Sequence, residues 1–328
     1  MRVRNFFGYF STLLRKYVVN IPYFGLPYAV QMEVTTKCNL KCEMCYRSKE
    51  QTGVVNSDMS LDLFNSIVSK LGYPTRHVTL VGLGEPLLNP QIFSMIRSAK
   101  KYGLQVSLIS NFTLIDRDKS LALIDSGLDF LFVSFDSSIK STFEKIRTGA
   151  CFEKVIDNVK LFVRTKKEVK AKTPVFFFKS TVSRRNFEEI RRLVNLAESL
   201  SVEGINFGKL FSEEEDYIHD PSVFLNMEDF KESKIIIDPC EIGRSYQCDG
   251  IAGCYITFNG RVLPCGVMMQ AMSRSEYSQF QLGDLQIDTI DKVWRSAKFK
   301  QFRKQIKSRP HSRPYLSICE ECPAWMYC

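Results

Sequence analysis

The chain has 328 residues, 45% of them hydrophobic, and a formal net charge of +9. That is enough for one large domain plus a small one, each with its share of a full core. No apolar run approaches the roughly 20 residues of a membrane span, and the basic, aromatic start lacks the apolar core and cleavage site of a secretory signal.

Residues 3 to 18 read as an amphipathic helix, with Val3, Phe6, Phe7, Phe10, Leu13, Leu14 and Tyr17 on one side and Arg4, Arg15 and Lys16 largely on the other. It serves either as a helix closing the fold against its core or as an interfacial membrane helix giving peripheral contact. From residue 30 to 210 strand-like and helical patterns alternate. The strand-like runs are Val30–Thr36, His77–Leu83, Gln105–Ser110, Phe130–Phe135, Pro174–Val182 and Gly204–Phe207. Between them Ser60 is placed to cap a helix with an apolar stripe from Leu61 to Leu71. Asn89-Pro90 opens the next, and Asn186 with Glu189 resembles a capping box. Six such units predict an α/β fold with a parallel sheet and helices outside, an open partial (β/α)6 TIM-like barrel whose chemistry sits at the carboxyl ends of the strands. Residues 211–240, with the acidic run Glu213 to Asp216, read as a connector, and 241–328 as a small cysteine-rich domain.

Eleven cysteines, clustered rather than scattered, suit metal binding in a reducing compartment better than disulfides, which predicts a cytoplasmic protein. Basic residues are dense from Lys166 to Lys172 and from Lys292 to Arg313. They read first as solvated faces, and with no RNA-binding signature nucleic acid is not expected.

Cys38, Cys42 and Cys45 follow the first strand-like run in a C-x3-C-x2-C spacing, with Asn39-Leu40 after the first cysteine. Three thiolates on one loop hold a [4Fe–4S] cluster by three irons and leave the fourth open to a small molecule. Structural zinc prefers paired C-x2-C knuckles. The motif strongly resembles that of the radical S-adenosylmethionine (radical SAM) family. The resemblance implies that the open iron binds the methionine end of SAM, and that reductive cleavage yields a 5′-deoxyadenosyl radical able to take hydrogen from an unactivated C–H bond. It also implies an electron donor such as flavodoxin or ferredoxin, for which the basic surface offers a docking face.

Further residues carry the likeness. Gly82-Leu83-Gly84-Glu85-Pro86 looks like the family's GGEP motif, with leucine in place of one glycine, and implies that Gly84, Glu85 and Pro86 meet the SAM amino group. Ser110-Asn111 matches its Thr-Asn-Gly position, with Phe112 in place of the glycine. Ser134 and Asp136 point the same way along a strand, and in the family this place serves the SAM ribose. Arg147 matches an arginine that pairs with the SAM carboxylate, with a solvent-facing helix arginine as the alternative. Thr181 and Asn186 are weaker candidates. Cys151 reads as a buried apolar cysteine.

Near the end, Cys248, Cys254 and Cys265 form C-x5-C-x10-C, and Cys319, Cys322 and Cys328 form C-x2-C-x5-C, with Leu282-Gly283-Asp284-Leu285 between. This closely resembles the SPASM extension, which implies an auxiliary [4Fe–4S] cluster. One cluster is expected, with two clusters or a zinc site as alternatives. Such a cluster accepts an electron or binds substrate, so dehydrogenation or new bond formation is the expected outcome. The substrate reads as a small molecule, a lipid-linked sugar or a peptide. Fewer than 30 residues precede the first strand, which lowers the expectation of a leader-binding domain and of a peptide-modifying maturase. A non-catalytic iron–sulfur electron-transfer protein is the contrasting class. Asp249, Glu213, Asp216 and His219 are candidates for a general base by location alone.

Overall fold

The computed structural model describes residues 26–49, 53–209, 230–238, 249–266 and 276–307. The amphipathic segment 3–18, the acidic run at 213–216 with His219, and Cys248, Cys319, Cys322 and Cys328 lie outside these residues, as does the side chain of Asp249. Six strands run parallel in chain order: β1 (Ala29–Met32), β2 (His77–Leu80), β3 (Gln105–Ser110), β4 (Phe130–Ser134), β5 (Val175–Val182) and β6 (Gly204–Lys209). Each crossover carries helix: α1 (Leu61–Val68), α2 (Ile92–Lys101), α3 (Arg117–Asp125), α4 (Lys140–Ile146) with α5 (Phe152–Glu168), and α6 (Ile190–Ser199). Strands in sequential order with right-handed crossovers place every helix on one side of the sheet.

The side chains follow from that geometry. Val30, Met32, Val78, Leu80, Val106, Leu108, Leu131, Val133, Phe176 and Phe178 alternate along their strands and are buried in one core with Phe64, Met95, Val159, Phe162 and Leu193 of the helices. The intervening residues, among them Gln31, Thr79, Ser107, Ser134 and Lys179, belong to the opposite face. Ser60 caps α1, its Oγ accepting from the Leu63 N–H at 3.2 Å, and Asp116 does the same for α3, satisfying first-turn donors.

The sheet does not stop at six strands. β7 (Ile236–Asp238), within the expected connector, pairs parallel with β6. On the other edge β8 (Gly253–Ile256) pairs parallel with β1, and β9 (Arg261–Leu263) and β10 (Gly283–Asp284) continue antiparallel. The cysteine-rich segment therefore extends the barrel's own sheet. Among the described residues around it lie four helices, α7 (Asp249–Ala252), α8 (Tyr277–Phe280), α9 (Ile290–Arg295) and α10 (Ala297–Lys307). Gly283 is required where β10 passes α9, because a Cβ there would lie 2.5 Å from the Val293 methyls.

Candidate active site

The cysteine loop leaves β1 and is fastened on four sides. Towards residues 55–58, Thr36 N donates to Ser57 O and Thr36 Oγ1 to Val55 O, while Thr35 Oγ1 and Lys37 Nζ both reach the Asp58 carboxylate at 2.6 Å. Towards the turn after β2, Glu85 N donates to Lys37 O at 2.7 Å. Towards the turn after β3, Asn39 accepts from Asn111 Nδ2 and donates to Thr113 Oγ1. Towards the end of α4, Lys41 N and Glu43 N donate to Thr148 O and Ile146 O. Leu40 is buried beneath. Asn39 and Leu40, conspicuous in the sequence beside the first cysteine, thus seat the loop by a polar clamp and an apolar anchor.

Cys42 is buried, and Cys38 and Cys45 are half-buried. Burial pushes the Cys38 thiol up and Cys45 from the ordinary 9.0 to about 11. Among the described residues the one set of three Cys, His, Asp or Glu ligand atoms lying within 4.8 Å of one another is Glu144, Cys151 and Glu153. At least one pair of the loop thiols therefore lies more than 4.8 Å apart, wider than the sulfurs of one tetrahedral zinc, about 3.8 Å apart for Zn–S of about 2.3 Å. Three thiols on one fastened loop with that spacing fit a polynuclear cluster.

The turn after β2 approaches the loop closely. A Cβ on Gly84 would meet Thr35 O at 2.4 Å and Lys37 O at 2.6 Å, so only glycine fits. Glu85 is buried and accepts from Ser110 Oγ (2.7 Å), Asn111 N (2.6 Å) and Leu87 N (3.1 Å). Burial raises its pKa, against the pull of those donors. The expected cofactor residues Glu85, Ser110 and Asn111 are thus one hydrogen-bonded unit beside Gly84, with buried Pro86 opening the turn Pro86–Leu88. Leu83, where the family pattern has glycine, packs with Tyr255, Leu263 and Tyr277, and Cys45, Tyr46 and Cys265 lie against the same cluster. Phe112, at the other departure, keeps the left-handed backbone of a glycine with φ of 62°. Its ring turns into the helix-side core against Phe162 and Phe176.

Arg147 is not a solvent-facing helix arginine. It follows α4, its side chain is 11% exposed, and its Nε donates to Asp136 Oδ2 at 2.6 Å. Its NH1 faces Cys42 Sγ at 4.0 Å. The second oxygen of Asp136 accepts from Thr181 N at 2.7 Å, so this carboxylate is engaged on both sides, and Ser134 is the remaining oxygen of the expected pair. Asn186 is a clamp rather than a capping-box residue: its Nδ2 donates to Asp136 O and Thr181 O, while Glu189 accepts from Ser137 Oγ. Cys151 is exposed, correcting the buried reading; it sits outside the first turn of α5 while the adjoining Phe152 takes the inward place.

The two described tail cysteines belong to different apolar clusters. Cys254 shares the helix-side core with Val30 and Met32, and burial pushes its thiol up to about 12. Cys265 lies with Leu83 and Tyr255 in the smaller cluster. Glu33 had drawn no notice in the sequence; it is buried after β1 and accepts from Leu83 N and Phe258 N. An acid closing an apolar strand run was the available signal.

Residues 32–197 match the model of the radical SAM superfamily. The chain belongs to the radical SAM superfamily. Residues 248–323 match the SPASM iron-sulfur cluster-binding domain, so this radical SAM enzyme takes SAM, a SAM-binding [4Fe–4S] cluster and auxiliary iron–sulfur as its cofactors. It is 24% identical to the tungsten-containing aldehyde ferredoxin oxidoreductase cofactor-modifying protein of Pyrococcus furiosus, over 83% of this chain and 82% of that one. It is 25% identical to the AdoMet-dependent heme synthase of Methanosarcina barkeri over 92% of each. The PqqA peptide cyclase of Rhodopseudomonas palustris is 32% identical over 35% of this chain and 30% of its own. Streptococcus suis SuiB bound to S-adenosylmethionine has the same fold, with a TM-score of 0.68 at 16% identity over 97% of this chain and 74% of that one. No helix among the described residues is long and apolar enough to cross a membrane.

Proposed function

We propose that this radical SAM enzyme carries out a net oxidation, dehydrogenation or bond formation, on a peptide held inside the barrel. The observation that carries the oxidative part is that Cys45 of the loop and Cys265 of the SPASM region lie against one apolar cluster of Leu83, Tyr255, Leu263 and Tyr277. A cluster ligand of each site thereby adjoins the same packed side chains. The loop thiols Cys38, Cys42 and Cys45 would hold the first cluster, and Cys265 with one of Cys248 or Cys254 would join Cys319 and Cys322 in holding the auxiliary one. When bound, the first cluster and SAM supply hydrogen-atom abstraction, and the auxiliary cluster supplies an electron acceptor.

The chain's own residues do the positioning. Gly84 lets the turn approach the loop, Glu85 locks that turn to Ser110 and Asn111, and Arg147, held by Asp136, places a fixed positive charge beside Cys42 for the SAM carboxylate. Ser134 offers a hydroxyl on the same wall. A peptide is favoured by the PqqA peptide cyclase match. The heme synthase match, which spans most of both chains, favours a small molecule as the second reading. An acidic electron donor is part of the proposal, supported by the net charge of +9.

The test is mass spectrometry of candidate peptides incubated with reduced, reconstituted enzyme and SAM. Loss of two hydrogens per 5′-deoxyadenosine released is expected. Equal release of 5′-deoxyadenosine with every peptide recovered at unchanged mass would sink the peptide reading.

A further inference from the structure

Four strands of the inner wall carry a polar row that starts at Ser134 and runs on through residues the cofactor reading does not use. In register across the sheet, Ser134 of β4 stands beside Lys179 of β5, Lys179 beside Asn206 of β6, and Asn206 beside Asp238 of β7. Lys179 Nζ donates to Asn206 Oδ1 at 2.8 Å, and Asn206 Nδ2 donates to Asp238 Oδ2 at 3.1 Å. The row lies directly above an aromatic floor, where Phe132 stacks on Phe177 at 5.4 Å and on Phe130 at 6.4 Å. Gly204 completes that floor, since a Cβ there would lie 2.3 Å from the Phe177 ring. One layer higher, about 6.6 Å along the strand, Thr181 meets the Asp136 carboxylate that holds Arg147. Lys179 thus stands between a closed apolar floor and the level of the cysteine loop.

A half-buried lysine directly after an apolar run (Val-Phe-Phe-Phe-Lys) costs desolvation to the extent that its charge is not answered. Here the one partner is a neutral amide. Lys179 makes no ion pair among the described residues. Asn206 is 6% exposed, and because its amide nitrogen donates to Asp238, its carbonyl is fixed towards Lys179. The amide therefore holds the ammonium in place while neutralising nothing, and two of its three N–H donors are left over. Asp238, the nearest negative charge in the row, stands one strand further from β4.

We propose that Lys179, aimed by Asn206 and Asp238, binds a carboxylate of the substrate on the inner wall of the barrel. This rests on the barrel interior being the substrate cavity. A charge-assisted pair to an ammonium that makes no ion pair among the described residues selects an acid over its isosteric amide. The carboxylate belongs either to an acidic side chain of a peptide or to a free organic acid.

The experiment is calorimetry on the reconstituted, SAM-loaded holoenzyme with three probes: N-acetylglutamyl amide, N-acetylglutaminyl amide and glutarate. Wild type is expected to favour an acid over the amide by about tenfold or more. Lys179→Met is expected to abolish that preference while still binding SAM, and Lys179→Arg to retain part of it. Binding of the glutamyl probe assigns the carboxylate to a peptide, and binding of glutarate alone assigns it to a free acid. If wild type shows no preference, or Lys179→Met keeps it, the proposal is overturned. Should Lys179→Met fail to fold, the wild-type and Lys179→Arg comparison decides. Failure of wild type to bind SAM would count against the cofactor reading instead, and is measured separately.

Discussion

The two cysteine regions are built in opposite ways. Cys38, Cys42 and Cys45 lie within eight residues of chain, on a loop fastened by hydrogen bonds to four neighbouring segments. Cys254 and Cys265 stand on the strands and exit of a hairpin and belong to separate apolar clusters, and the second tail triplet, Cys319, Cys322 and Cys328, follows more than 50 residues after Cys265. A site made of one loop is already gathered by local chain geometry. A site made of dispersed strands depends on sheet register and on distant segments closing over it.

The largest effects should separate the two regions outright. Replacing Cys38, Cys42 and Cys45 by alanine is expected to abolish SAM cleavage while about four irons per chain, or about eight for two auxiliary clusters, survive anaerobic reconstitution. Loss of all iron would show that the tail site does not assemble on its own. In that same background Cys254→Ala should remove the remaining iron. Retained iron would leave Cys254 as a core residue only, and the apo-protein would then lose about 1 kcal/mol to the small cavity.

Smaller effects probe the scaffold of the loop. Asp136→Ala strands Arg147 as a buried charge and is expected to cost about 3–5 kcal/mol in urea unfolding; a change within error would mean that Arg147 finds water. Phe112→Gly sets two opposing magnitudes against each other. Relief of the left-handed backbone returns about 1–2 kcal/mol, and loss of a fully buried ring costs about 3–5 kcal/mol. Net destabilisation of about 2 kcal/mol is expected, whereas a gain in stability would show that backbone strain outweighs ring packing there.

The mildest contrast is in pH. Burial holds Cys45 at about 11, above the ordinary 9.0. A thiol so raised contributes to apo-protein stability below pH 9, and that contribution is lost as pH climbs through about 11. Cluster insertion needs thiolates and releases protons, so iron loading of the apo-protein should speed up from pH 7 to 9. Loading that is flat with pH would place the slow step elsewhere than thiol deprotonation.

What the chain determines by itself is what repeats or lies close along it. The alternation of two-residue and 3.6-residue apolar periods marks six strands and their helices because each element buries one face locally. The spacing of Cys38, Cys42 and Cys45 marks a metal loop because three thiols on eight residues cannot avoid one another. Gly84 was legible as a close approach, though not the Thr35 and Lys37 carbonyls that demand it. Tertiary structure alone decides which strand ends converge. It joins Arg147 to Asp136, lays Leu83 against Tyr255, extends the barrel sheet through Gly253–Ile256, and lines up Lys179, Asn206 and Asp238. These residues come from segments dozens of positions apart, and register between parallel strands is set by packing of whole layers, which no local pattern encodes.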